Sequence, residues 1–234
     1  MGGTEPMACK ISTLGENGLL VQFGNEVNET LNEKVHNLQQ LLTDHPLPGT
    51  IDLVPAYSSL AVYFDPAYTA GSGTDTAMDE LEKLTRTLTT ESIAASRFIT
   101  IPVCYEPAQG TDLLAVSHAT GLTVEEVIAI HSAPVYRVYM MGFLPGFAYM
   151  GPLDARIRLP RKSKPARVPA GSIAIAANQT GIYPFSSPGG WHTIGRTPLR
   201  LFDADAETPC SLRSGDQVKF EPISPEEYKN MLQQ

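Results

Sequence analysis

The spacing of apolar residues divides the chain into two stretches of different character. Residues 8–14 and 19–23 read as two strands, and Asn17-Gly18 between them supplies a turn pair that tolerates positive φ. Val27, Leu31, Val35, Leu38 and Leu42 then recur at three- and four-residue intervals, which predicts a helix over 27–42. Two strand-like runs follow, Ile51–Val54 and Leu60–Phe64. After a polar stretch over 69–76, Met78, Leu81, Leu84 and Leu88 form the buried stripe of a second helix. The order strand, strand, helix, strand, strand, helix predicts a small α+β domain with its helices on one face of an antiparallel sheet. Thr89–Ser96 reads as a connection, so one domain is expected over 1–95 and a second over 96–234.

The second stretch opens with a strand-like run, Arg97–Val103, and two short helices. The second of these begins with a capping box, Thr123 with Glu126, and ends at Ala133-Pro134. Thereafter the pattern is strand and turn. Val135–Met141, Ser172–Ala177, Leu199–Phe202 and Gln217–Glu221 are the best strands, and Gly215-Asp216 is a turn. A last helix starts at Ser224, with Pro225 at its first position and Glu227 at its third. Many short strands punctuated by Gly and Pro predict a compact barrel or sandwich.

Composition narrows the function. A formal net charge of −8 argues against nonspecific nucleic-acid binding. Cys9, Cys104 and Cys210 are too scattered for a disulfide framework or a zinc site. No apolar run reaches the length of a membrane span, and the first ten residues hold no apolar signal core, so a cytoplasmic protein is expected. No phosphate-loop, HExxH, GxSxG or GxGxxG pattern is present.

Residues 142–198 carry the candidate chemistry. Sixteen of these 57 positions are Gly or Pro, yet Phe143, Phe147, Tyr149, Tyr183, Phe185 and Trp191 are interspersed. Ordered, aromatic-bearing loops around a pocket are therefore expected. Residues 140–200 also hold eight Lys or Arg and one acid, Asp154, inside a chain with 17 bases and 25 acids. A cationic, aromatic stretch in an acidic protein suits an anion-binding cleft. Arg161, Arg167 and Arg196 stand among Pro and Gly, and a guanidinium can grip a carboxylate or phosphate through two parallel bonds. The plainer reading is three solvated surface arginines. His131, at a predicted helix end, is either a proton-transfer group or a histidine bonded to a last-turn carbonyl. Ser187–Gly190 reads as an anion nest or an ordinary tight turn, with Gln179 and Tyr183 as polar contacts nearby.

GFLPGFAYMG (142–151), RVPAGS (167–172) and QTGIYPFSSPGGWHTIGRTP (179–198) resemble the signature of the allophanate hydrolase subunit 1 / KipI family, which includes the B component of 5-oxoprolinase. Weaker likeness extends through Val54–Pro66, Ile101–Val103, Thr111–Leu113 and Ile130–Ser132. The resemblance implies an α+β fold: a small N-terminal α/β, ferredoxin-like domain and then a cyclophilin-like β-barrel domain with a C-terminal helix. It implies one component of a complex that opens the lactam of 5-oxo-L-proline to L-glutamate with ATP, Mg presumed. The chain would be inactive alone and would hold no metal itself. The partners implied are the C component, of the allophanate hydrolase subunit 2 family, and the A component, of the LamB/YcsF family. His131, Arg167 and Tyr183 are carried over as catalytic candidates, and Arg161, Gln179 and Arg196 as substrate-binding ones. Two alternatives come from the same family: a KipI-like inhibitor of a sensor histidine kinase, and a carboxyltransferase half related to urea carboxylase.

Overall fold

The computed structural model describes residues 9–70, 73–88 and 96–233. The connection expected over 89–96 lies, but for Ser96, outside the described residues. The chain forms two compact units, residues 1–95 and 96–234.

In the first unit, β1 (Lys10–Leu14) and β2 (Gly18–Gln22) form a hairpin, followed by α1 (Glu29–Asp44), β3 (Thr50–Pro55), β4 (Ser59–Phe64), a single turn α2 (Pro66–Thr69) and α3 (Gly73–Thr87). The sheet order is β1-β2-β4-β3, and every pair is antiparallel. A ferredoxin-like unit runs strand, helix, strand, strand, helix, strand. This unit instead begins on a hairpin and ends on a helix. Leu19, Val21, Leu60, Val62 and Phe64 from the sheet meet Val35, Leu38 and Leu42 of α1 and Leu81 of α3 in one core. Asn28, one residue inside the expected helix, caps α1 by accepting from Leu31 N. The hairpin turn also differs from expectation. It is the three residues 15–17, with Gly15 at φ +65°, while Gly18 pairs with Leu14 inside the ladder.

The second unit comprises β5 (Phe98–Val103), α4 (Leu113–Thr120), α5 (Val124–Ser132), β6 (Val135–Met141), β7 (Ala148–Gly151), a 3-10 turn (Ala155–Ile157), β8 (Ala166–Val168), β9 (Ser172–Ala176), β10 (Gln179–Ile182), β11 (Ser187–Gly189), β12 (His192–Arg196), β13 (Gln217–Pro222) and α6 (Pro225–Met231). Seven strands form one sheet in the order β12-β9-β10-β7-β6-β13-β5. Its two outermost strands meet: Cys104, just after β5, exchanges two backbone bonds of 2.9 Å with Arg196 at the end of β12. The sheet is thus nearly closed into a barrel. Ile101, Val103, Val138, Met150, Ile173, Ile175, Ile182, Ile194, Val218 and Phe220 fill its interior, with Val116 of α4 and Val127 of α5 packed on the same core.

Two expectations are corrected. Leu199–Phe202 is not a strand and contributes only the bridge Phe202↔Cys210. Conversely, much of the Gly/Pro-rich region expected to be loops is strand: β7, β8, β10, β11 and β12. Most of its glycines, though not Gly142 or Gly190, sit where another group occupies the space a side chain would need. A Cβ on Gly195 would lie 2.7 Å from Val103 Cγ1, at the seam of the barrel.

Candidate functional site

Alternation along the barrel strands creates two faces. On β9, Ile173 and Ile175 point into the barrel, so Ser172, Ala174 and Ala176 point out. On β10, Ile182 points in, and Gln179 and Gly181 point out. The outward residues in the middle of this surface are small, and rings cover them. Phe147, Tyr183 and Trp191 pack there with Val168, Ala174 and Ala176, flanked by Leu144 and Tyr149. The rings meet edge to face, as their quadrupoles favour: Phe147 with Tyr183 at 5.1 Å and 86°, and Phe147 with Trp191 at 5.6 Å and 89°. A Cβ at Gly181 would come within 2.9 Å of the Phe147 ring, which explains a glycine in mid-strand.

Arg161 stands over this layer, its guanidinium carbon 6.0 Å from the Trp191 ring centroid. Its loop is pinned to β12 and the residues before it. Lys162 N–H donates to Gly190 O at 2.7 Å, and His192 Nε2 lies 2.9 Å from Pro160 O. Lys162 Nζ donates to Asp112 Oδ2 at 2.6 Å, and the same carboxylate oxygen accepts from Thr193 N at 2.8 Å. Asp112, ahead of α4, therefore fixes both the loop that carries Arg161 and the strand beside it.

Burial raises the Tyr149 phenol, and the nearby Arg161 opposes that rise. Burial also raises Tyr183, while a backbone bond from Trp191 and the charge of Arg161 pull the other way. Both phenols are neutral at pH 7 and able to donate. One cation and two phenolic donors on an aromatic floor complement a small anion with an apolar body.

The expected site residues separate into three groups. Arg161 and Tyr183 come together, with Gln179 on the same outer face of the sheet by register. Arg167 sits at the edge of this region on β8, opposite Pro188, with Nε donating to Ser186 Oγ at 3.0 Å. Nearby, Ser187 Oγ is buried with no hydrogen-bond partner among the described residues. Arg196 is at the far end of β12, five residues from Trp191 or roughly 16 Å of extended chain. There its Nε donates to Ala170 O at 2.7 Å, and its charge is felt by Tyr228 of α6. Arg161, over Trp191, and Arg196 thus lie toward opposite ends of β12.

His131 stands apart from the ring-covered surface. It is completely buried inside the barrel, with Nδ1 2.8 Å from Tyr105 Oη and Nε2 2.9 Å from Thr180 Oγ1. Burial pushes it down to about 3. It is neutral and bonded on both nitrogens, on the opposite face of the sheet from the ring-covered surface, and its ring does not bond a last-turn carbonyl. The nest is a correction, because Ser187–Gly189 is an extended strand paired with β8. Sequence reasoning did not single out Tyr149 or the Asp112–Lys162 pair. Phe147 and Tyr149 share a face by simple alternation, which was readable; the pairing of Asp112 with Lys162 across 50 positions was not.

The structure thus defines a mixed α/β chain with a nearly closed, barrel-like seven-strand sheet that bears an aromatic and cationic outer surface. The family described as carboxyltransferase domain, subdomain C and D, matches residues 9–212, and this chain belongs to it. It is 40% identical over 228 residues to the B component of 5-oxoprolinase from Bacillus subtilis (strain 168), covering 94% of this chain and 95% of that protein. Among solved structures, it is 42% identical to a conserved uncharacterized protein from Pyrococcus horikoshii, covering 94% of this chain and all of that one, with a TM-score of 0.55. Another solved relative is 39% identical over 88% of this chain, with a TM-score of 0.76; the chain spans 40% of that protein's length. Among the described residues no single helix is long and apolar enough to cross a membrane.

Proposed function

We propose that the chain is the B component of an ATP-dependent 5-oxoprolinase, which opens the lactam of 5-oxo-L-proline to L-glutamate in a cytoplasmic complex with the A and C components. The observation that carries this reading is the near end-to-end match to curated relatives named as the B component of 5-oxoprolinase. The barrel unit is read as cyclophilin-like, a likeness of fold that carries no isomerase activity with it.

The surface around Trp191 suits the substrate. 5-Oxoproline is a small ring bearing one carboxylate. Arg161 takes the carboxylate, Tyr149 and Tyr183 donate to oxygen, and the rings of Phe147 and Trp191 accept the apolar face of the lactam. When bound in the complex, ATP supplies a phosphoryl group that turns the resonance-stabilised amide oxygen into a leaving group. Arg167 with Ser186, and the buried hydroxyl of Ser187, offer donors for an anionic oxygen at the edge of the same region. These donors fit phosphate and carboxylate equally, so nucleotide binding is assigned to the complex rather than to this chain. The Mg partner of ATP is assigned to phosphate oxygens and the other components of the complex.

The test is reconstitution. The chain mixed with its A and C partners and ATP should release ADP in step with glutamate, and the chain alone should release neither. Arg161→Ala in the complete mixture should lower kcat/KM by about 10-fold or more, the effect of removing a charge-assisted contact. A complete mixture that turns over no 5-oxoproline refutes the assignment.

A further inference from the structure

The tip of the β6–β7 hairpin holds a backbone conformation that a bulky residue rarely adopts. Leu144 N–H donates to Gly142 O at 2.7 Å, and Phe143 between them has φ +65°. A bond across two residues with positive φ at the centre is a γ-turn in its rarer, more strained form. Bulky side chains adopt this region only where the surroundings enforce it. The surroundings here do so. Gly142 N–H donates to Phe147 O at 3.1 Å, and Phe147 N–H donates to Leu144 O at 3.0 Å. Gly146, at φ +82°, lies so close to Phe202 that a Cβ would sit 2.9 Å from it.

Burial is not what the strain achieves, because Phe143 remains 61% exposed. It achieves placement. The Phe143 ring stands nearly perpendicular to Phe147 (5.6 Å, 86°) and to Tyr183 (6.4 Å, 87°), at the rim of the aromatic layer. A large apolar ring is thus held in water beside a site whose floor is aromatic. We propose that Phe143 is a specificity-determining residue: its ring forms the wall against which the ring of a small cyclic carboxylate packs. This rests on the function proposed above and adds the residue that tells a ring-shaped substrate from an open one.

Glycine adopts φ +65° without strain. Phe143→Gly therefore separates the two roles: it removes the wall and relieves the turn. In the reconstituted complex, Phe143→Gly should raise KM for 5-oxo-L-proline by about 10-fold with kcat within about twofold, as expected for lost apolar contact. Phe143→Leu should recover part of the loss. Thermal unfolding of the isolated full chain should give a midpoint for Phe143→Gly equal to or above that of the wild type. An unchanged KM overturns the proposal, as does a fall in midpoint that tracks the kinetic loss. A KM unchanged together with lost assembly would assign the ring to an interface with another component instead, which also overturns it. A wild-type complex without activity on 5-oxoproline sinks the function itself, and this inference with it.

Discussion

The buried histidine makes a quantitative prediction about acid stability. His131 stacks on Phe220 at 4.8 Å, and both of its ring nitrogens are bonded. One proton arrangement satisfies the network. Thr180 Oγ1 lies 3.3 Å from Ala174 O and donates to it, so it accepts from His131 Nε2–H, and Nδ1 accepts from Tyr105 O–H. A second proton on the ring would reverse the Tyr105 bond and place a charge in an apolar core. Burial accordingly holds the group at about 3, against 6.5 ordinarily. The folded value lies below the unfolded one, so the unfolded state takes up the proton first. Stability is complete above pH 6.5 and is lost as pH falls toward 3. At about 1.4 kcal/mol per pH unit, the loss from pH 7 to pH 5 is about 2 kcal/mol. The comparison is His131→Gln, which keeps polar atoms near Tyr105 and Thr180 without titrating. At pH 7 the variant should be about 1–3 kcal/mol less stable, from imperfect bonding of buried partners. The assay is urea unfolding followed by Trp191 emission; the chain has one tryptophan, and it lies in the same unit as His131. Between pH 7 and 5 the wild type should lose about 2 kcal/mol more than the variant. Equal losses would show that His131 is not held neutral by the fold and would refute the reasoning.

Two more predictions follow from carboxylates that tie distant segments together. Asp216 is 2% exposed, accepts from Arg97 Nε at 2.8 Å and Nη2 at 2.5 Å, and also accepts from Arg213 N at 2.8 Å. Asp216→Ala leaves Arg97 Nε and Arg213 N without this acceptor, while Arg97 Nη2 keeps Ser211 O, and should cost about 1–3 kcal/mol in urea unfolding, with a loss below about 0.5 kcal/mol counting against the clamp. Asp112→Ala frees Lys162 and Thr193 N, so the Arg161 loop should loosen. Acrylamide should then quench Trp191 more strongly at about 1–2 kcal/mol lost stability; unchanged quenching would show that the loop is held by its backbone bonds alone.

Local patterns in the sequence were enough for the longer helices, though not for the single turn α2. Thr123 and Glu126 do form a reciprocal capping box, and so do Ser224 and Glu227. Strands β3, β4 and β6 carry alternating or continuous apolar runs and were read within a residue or so. The strands between Ala148 and Arg196 other than β9 were harder, since they are three to five residues long and carry or adjoin Gly or Pro, as at Gly181 and Gly195. Those residues score poorly as strand formers when read alone, and only what packs against Gly181 and Gly195 explains their size. Leu199–Phe202 erred the other way: Leu201 joins the barrel core, but Leu199 is exposed and the segment makes only the bridge at Phe202. Charge density located the site only in part. Arg161, Arg167 and Arg196 share one cationic segment of sequence, yet β12 carries Arg196 along the full length of a strand away from the Trp191 end.

The two faces of β9 and β10 explain why a histidine in a family-like stretch and a glutamine a few dozen residues on have opposite fates. Thr180 and Gln179 are adjacent, so alternation sends one hydroxyl inward to His131 and one amide outward to the ring-covered surface. The inward set makes the barrel acid-sensitive and rigid. The outward set gives the rings a floor of fixed height, because Ala174, Ala176 and Gly181 allow Phe147, Tyr183 and Trp191 to lie close on the sheet. A one-residue slip of β10 would place Gln179 against Ile173 and Ile175 and expose Ile182. The same register therefore guards the core and aligns the site, and a mutation that weakens the His131 network acts on the surface around Arg161 through the strands they share. That link is measurable: His131→Gln should broaden or shift Trp191 emission at pH 7 although the two side chains lie on opposite faces of the sheet.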